Sequence, residues 1–235
     1  MQIGLYSINI FILLIQFQSC QYCLYTMQGQ YPSIRLVHFN RVDRAEPIRL
    51  ALTIANVPFE DVRISDEDWR SMKQETPFGL LPVMDINGER YAQANALLRY
   101  VGRLGGLMPQ DTLLVLQIDQ IIGACDDLIY AIKPTLHIGD HQLKQQQRSS
   151  LAADKIPFVF KSLEDAVGKE SPHFAVGKEL TVADLVLYNL IHWFKTGKLE
   201  GIPTDIAQGC DKLCRIYETV AKNDRVMQWY GQHMR

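Results

Sequence analysis

One run of residues has types and spacing suited to holding a small charged molecule. Pro77-Phe78-Gly79-Leu80-Leu81-Pro82-Val83-Met84-Asp85-Ile86-Asn87-Gly88-Glu89, closing on Gln93-Ala94-Asn95, reads as a loop ending in a proline, a strand, an Asn-Gly hairpin, a second strand and a helix N-terminus. Extended backbone then lies beside a helix start, whose free N–H groups and positive dipole end suit an anionic ligand. Other spacings carry less. His137-Ile138-Gly139-Asp140-His141 places two histidines four apart, but Gly139 interrupts a helix and no glutamate follows the first histidine, so a turn is expected. Cys20-Gln21-Tyr22-Cys23 has CxxC spacing with no helix start behind it, and neither redox nor metal chemistry is expected there. Asp126-Asp127, taken alone, is a solvated helix face. Cys210 and Cys214, four apart on an expected helix, read as small partly buried hydrophobes, and Cys125 as core.

Holding such a cradle takes a sheet and a helix, and the chain supplies both. Ser33 to Phe39 alternates apolar and polar residues and reads as a strand. Asp43-Arg44-Ala45-Glu46 reads as a capping box with Pro47 in the first turn, opening a helix through about Ala55. Phe59 to Ile64 alternates again, and the helix between is the right crossover for a parallel pair. Ser65-Asp66-Glu67-Asp68 caps a short helix carrying Trp69. After the hairpin, a helix from Asn95 to Leu104 ends at Gly105-Gly106. The order β-α-β-α-β-β-α resembles a thioredoxin-like domain.

Met108-Pro109-Gln110 reads as a linker, and the pattern beyond it is helical. Leu113, Leu114, Leu116, Ile118, Ile121, Ile122 and Cys125 recur at helical spacing, as do Phe158, Val159, Phe160, Leu163 and Val167. Thr181-Val182-Ala183-Asp184 is a second capping box, preceded by Leu180 as a staple residue. The expected division is an uncharged extension over 1–32, an α/β domain over 33–107 and an all-helical domain over 112–235.

Composition narrows the function. A chain of 235 residues with net charge −2 and pI near 6.3 presents no basic surface for nucleic acid. Its five cysteines are too few and scattered for a disulfide framework, which favours a reducing cytosol. No charged side chain precedes Arg35. The apolar stretch Gly4 to Phe17 lacks a positive flank and a cleavage site, and Ile10 to Ile15 is too short for a membrane span. A start at Met27, or a disordered extension, is preferred to secretion.

The segment from Pro77 to Asn95, the Val37-His38-Phe39-Asn40 strand end and Gly177-Lys178-Glu179-Leu180-Thr181-Val182-Ala183-Asp184-Leu185 together resemble cytosolic glutathione transferases, most closely their sigma-like branch, over roughly residues 33 to 235. The resemblance implies a thioredoxin-like N-terminal domain and an all-α C-terminal domain. It implies transfer of the glutathione thiolate to small apolar electrophiles, with peroxidase or isomerase side activity, in a detoxifying homodimer. Glutathione is then a co-substrate, with no cofactor, nucleic acid or membrane. By the same resemblance Leu81, before a cis Pro82, pairs through its main chain with the cysteinyl part of glutathione. Trp69 and Lys73 match the residues that hold the glycine carboxylate, and Gln93 the side chain that reaches the γ-glutamyl group. Arg44 matches an arginine close to the active site. Asp127 matches an aspartate that crosses the dimer to the partner's glutathione. A divalent ion held by such acids in prostaglandin-synthesising relatives is not expected, since one matching acid is Gly123 here.

Two positions depart from the pattern. Where the family has the tyrosine that donates to the thiolate, this chain has His38. A neutral imidazole can donate one N–H, and a protonated one would add charge; alternatively His38 is a polar strand end without that task. Where the family has a serine or threonine at the helix start, this chain has Ala94, which keeps the N–H and the dipole but lacks the hydroxyl. Asn95 is the candidate to compensate. The rival reading is a non-catalytic, crystallin-like or ligand-binding homologue with reduced glutathione affinity.

Overall fold

The computed structural model describes residues 31–233. All of the expected N-terminal extension except Tyr31 and Pro32, its alternative start and the Cys20/Cys23 pair lie outside them. Strand β1 (Ile34–Phe39) is followed by helix α1 (Glu46–Ile54) and strand β2 (Glu60–Ile64), which returns parallel to β1. Helix α2 (Asp66–Met72) and a 3₁₀ turn (Lys73–Glu75) lead to the antiparallel pair β3 (Val83–Ile86) and β4 (Glu89–Ala92). The strands lie in the order β2-β1-β3-β4, the expected thioredoxin-like layout.

Local chemistry accounts for the turns. Asn87 and Gly88 have φ of 50° and 89°, the left-handed pair that a two-residue hairpin requires. Ser65 caps α2 through a reciprocal box with Asp68. Helix α3 (Ala94–Leu104) turns Leu97, Leu98, Val101 and Leu104 into the core and stops at Gly105. A Cβ on Gly105 would stand 2.5 Å from that of Ala55, so glycine is what lets α3 close against the end of α1.

The second domain holds α4 (Thr112–Ile132), a 3₁₀ turn (Lys133–His137), α5 (His141–Ala153), α6 (Lys155–Ala166), α7 (Val182–Lys195), α8 (Asp211–Ala221) and α9 (Asp224–His233). Helix α7 is buried along most of its length and packs against α4, α8 and α1, so it joins the two domains. Its capping box forms as expected. The Asp184 carboxylate accepts from Thr181 N at 2.7 Å, Thr181 Oγ1 at 2.9 Å and Ala175 N at 2.6 Å. His137 and His141 straddle a break before α5, the turn expected there. Among the described residues no helix is long and apolar enough to cross a membrane.

Three expectations fail. The Asp43–Glu46 box does not form, and α1 begins at Glu46 behind Ala45, which supplies no side-chain cap. Glu46 is drawn inward instead, accepting from Arg49 Nη1 at 3.2 Å and from Trp229 Nε1 of α9 at 3.1 Å. Leu113 and Leu116 face outward on α4, whose core face runs through Ile118, Ile121, Ile122 and Cys125. Phe158 is also exposed, although Phe160, two residues on and across the helix, is buried.

Candidate functional site

The strand register gathers the expected residues at one end of the sheet. Val37 pairs with Val83, and Val83 with Ala92. One residue beyond that line on the three strands stand His38, Pro82 and Gln93. The Leu81–Pro82 peptide is cis, and Leu81 lies outside both ladders, so neither β1 nor β4 engages its main chain. Gln93 holds φ 76° and ψ 103°, a strained setting for a residue with a Cβ; such strain persists where function needs it. Its side chain is exposed and caps nothing. The first turn of α3 therefore offers its backbone N–H groups to the opening, with Ala94 adding no hydroxyl.

The remaining cradle positions surround this end. Trp69 on α2 sets its ring edge-on to that of Phe39, centroids 6.2 Å apart. Lys73, one turn later, is exposed, with no ion pair among the described residues. Its Cε is 3.8 Å from where a Cβ on Gly79 would stand, so the stem runs along the loop that leads to Pro82.

Arg44 is engaged by a carboxylate. Both its terminal nitrogens donate to Asp126, Nη2 at 3.3 Å, and Asn95 Nδ2 donates to the same carboxylate at 2.6 Å. Asp126 thus ties the β1–α1 loop and α3 to α4. Asn95 is committed to this clasp and does not replace the missing hydroxyl at Ala94. Asp127, one residue on, is exposed and has no ion pair among the described residues.

His38 is only 2% exposed. Its Nδ1 lies 3.4 Å from Phe39 O. Nε2 has no partner among the described residues, yet the only sealed-off unpartnered side-chain N or O among them is Tyr230 Oη, so Nε2 borders the ring's remaining opening. Burial pushes the imidazole down to about 4; Arg49 and Arg41 push the same way, while Asp43 and the Phe39 carbonyl oppose them. At neutral pH the ring is uncharged, which removes the charged form from the two expected for it.

Beneath the site is a residue that sequence reasoning passed over. Arg49 is 1% exposed. It donates from Nε to Asp61 Oδ1 at 2.9 Å, from Nη1 to Glu46 Oε2 and Arg41 O at 3.2 Å each, and from Nη2 to Phe39 O at 3.2 Å. A signal was present: Arg49 falls on the stripe of Ala45 and Leu52, the core face of α1, where an arginine must be satisfied internally. A groove of about 500 Å³ between the end of α1 and α9 shares none of the site residues.

Residues 126–233 match the family model for the glutathione S-transferase C-terminal domain. The chain is similar to glutathione S-transferase 1 of Ascaris suum, 31% identical over 209 residues, covering 86% of this chain and 97% of that protein. A glutathione S-transferase of Anopheles gambiae is 30% identical over 205 residues, with the same coverage. Among solved structures, prostaglandin synthase D of Nilaparvata lugens superposes with a TM-score of 0.78 at 26% identity, covering 86% of this chain and 98% of that one.

Proposed function

The chain belongs to the glutathione transferase family, and we propose that it binds glutathione at the end of the sheet and transfers the sulfur to small apolar electrophiles. What supports this most is the meeting of the cis Leu81–Pro82 peptide, the left-handed Gln93 and the uncapped start of α3 at one sheet end. In this reading Leu81 pairs with the cysteinyl main chain. Gln93 and the α3 N–H groups take the γ-glutamyl carboxylate, and Trp69 and Lys73 take the glycine carboxylate. His38 is the side chain beside the sulfur. The sulfur bonds to the electrophilic carbon, the leaving group departs with its electron pair, and the thiol proton passes to the imidazole or solvent. Retention on immobilised glutathione, followed by turnover of 1-chloro-2,4-dinitrobenzene, is the expected result. Retention without turnover sinks the enzyme and favours the binding-protein reading, which the buried His38 and hydroxyl-free Ala94 support.

Ala94→Ser adds the missing donor to an anion. A hydrogen bond to a charged group is worth roughly 1.5–3 kcal/mol, so glutathione is expected to bind about tenfold tighter or better by isothermal titration calorimetry. Unchanged affinity would remove the α3 start from the site.

We further assign the protein to the sigma-like branch and to a cytosolic detoxifying role. The acidic pair at Asp126-Asp127 supports the branch, and the free thiols of Cys125, Cys210 and Cys214 support the compartment. A homodimer accounts for Phe78 and Leu80, 64% and 56% exposed beside the cradle, and for an exposed Asp127 that can reach the partner's glutathione. Size-exclusion chromatography with light scattering should give a dimer, and Phe78→Ser a larger monomer fraction. A wild-type monomer would exclude the shared site.

A further inference from the structure

Arg49 and His38 meet at one atom. The Phe39 carbonyl oxygen accepts from Arg49 Nη2 at 3.2 Å and lies 3.4 Å from His38 Nδ1. An oxygen can only accept, so the imidazole nitrogen facing it carries the proton. The other nitrogen, Nε2, then holds a lone pair and borders the opening. We propose that Arg49 is a positioning residue for His38: by fixing the Phe39 and Arg41 carbonyls it holds the Nδ1–H tautomer and presents Nε2 as a proton acceptor rather than a hydrogen-bond donor.

This rests on the transferase reading and changes how His38 works within it. A tyrosine gives a hydrogen to a thiolate already formed. An imidazole bare at Nε2 has none to give, and acts only by taking the thiol proton as the S–C bond forms. The leaving group departs from carbon with its electron pair, and the imidazolium returns the proton to water. No oxidant or further reactant enters.

The charges around the ring fit a neutral base. Arg49 comes from α1, Arg41 and Asp43 from the β1–α1 loop, and Arg63 from the position paired with His38 on β2. Arg63 is neutralised by Asp61 at 2.7 Å. Asp61 and Glu46 also pair with Arg49, so the buried cation is matched and the ring gains no net negative neighbour from α1 or β2. Desolvation and Arg49 keep the imidazole unprotonated, with Nε2 available at neutral pH.

Two measurements test this. Nitrogen-detected NMR of the unmutated chain, labelled at histidine, should show His38 protonated at Nδ1 and bare at Nε2 at pH 7. The Nε2–H tautomer would overturn the proposal. In kinetics, Arg49→Lys keeps the charge but cannot span both carbonyls. It should lower kcat for 1-chloro-2,4-dinitrobenzene by on the order of tenfold and leave KM for glutathione unchanged. In a His38→Tyr background, which has no ring nitrogen at Phe39 O, the same change should leave kcat unaltered. An equal loss in both backgrounds would make Arg49 merely structural and overturn the assignment. Because NMR uses the native chain, it decides the tautomer even if Arg49→Lys fails to fold. A native chain that retains glutathione without conjugating it sinks the enzyme and the catalytic half of this proposal, whereas the wrong tautomer sinks the positioning alone.

Discussion

His38→Tyr is expected to raise kcat for conjugation of 1-chloro-2,4-dinitrobenzene by roughly ten- to a hundredfold, and His38→Ala to lower it by about a hundredfold. A phenol donates directly to a thiolate, a charge-assisted bond worth roughly 1.5–3 kcal/mol, and each 1.4 kcal/mol is about tenfold in rate. The native imidazole is held down to about 4, a weak base for a thiol whose ordinary value is about 8.5. Its contribution therefore belongs at the low end of general-base effects, roughly 10² to 10⁴. The pH profile follows. The base is active when unprotonated, so its acid limb should lie near pH 4, with no histidine inflection between about 5 and 7. Full activity in His38→Ala would remove His38 from the reaction. A step near the ordinary histidine value would contradict the buried neutral ring.

Asp184→Ala should cost about 3–5 kcal/mol of stability, read as a lowered midpoint in urea unfolding. Its fully buried carboxylate is the acceptor for Ala175 N, Thr181 N and Thr181 Oγ1, and each buried donor left without a partner costs roughly 1–3 kcal/mol. A capping residue replaced by alanine costs about 0.5–2 kcal/mol. Against a typical total of about 5–15 kcal/mol, the variant is close to unfolding. Burial also raises this carboxyl to about 6, against the pull of its donors. A carboxyl raised on folding favours the native state below its unfolded value of 3.8, and that advantage is lost as pH climbs through about 6. Asp184→Asn should remove this pH dependence, and an alanine variant as stable as the native chain would refute the role of the box.

Much of this molecule is legible in its residues because several signals are local. The Asn87-Gly88 turn, the Ser65–Asp68 and Thr181–Asp184 boxes, and the strand alternation each depend on neighbours within a few positions. The turn, the boxes and the strands form where expected, but burial does not alternate along the strands: Leu36, Val37 and His38 are buried in succession, and β2 is half-buried from Asp61 to Ile64. Resemblance supplied the cis Leu81–Pro82 peptide, which local pattern does not dictate. Expectation failed where a partner came from far along the chain. Glu46 looked like a cap for its own helix and instead meets Trp229, because burial makes a carboxylate seek the strongest donors within reach. Asn95 looked free to assist Ala94, but Asp126 of the next domain claims it. The role of Arg49 is not local, because its partners span Phe39 to Asp61, a constellation that only the parallel β1–β2 pairing assembles. Leu113, Leu116 and Phe158 share the apolarity of core residues, and periodicity alone does not tell a buried stripe from an exposed one.

The bond from Trp229 to Glu46 has a consequence for how the chain is made. Glu46 is translated 183 residues before Trp229, so while the chain between them is made α1 lacks the indole that completes its buried carboxylate. The thioredoxin-like half emerges before α9, but it is finished only when α9 has left the ribosome. A nascent chain stalled before Trp229 should remain open to protease around α1, and extension past α9 should close it.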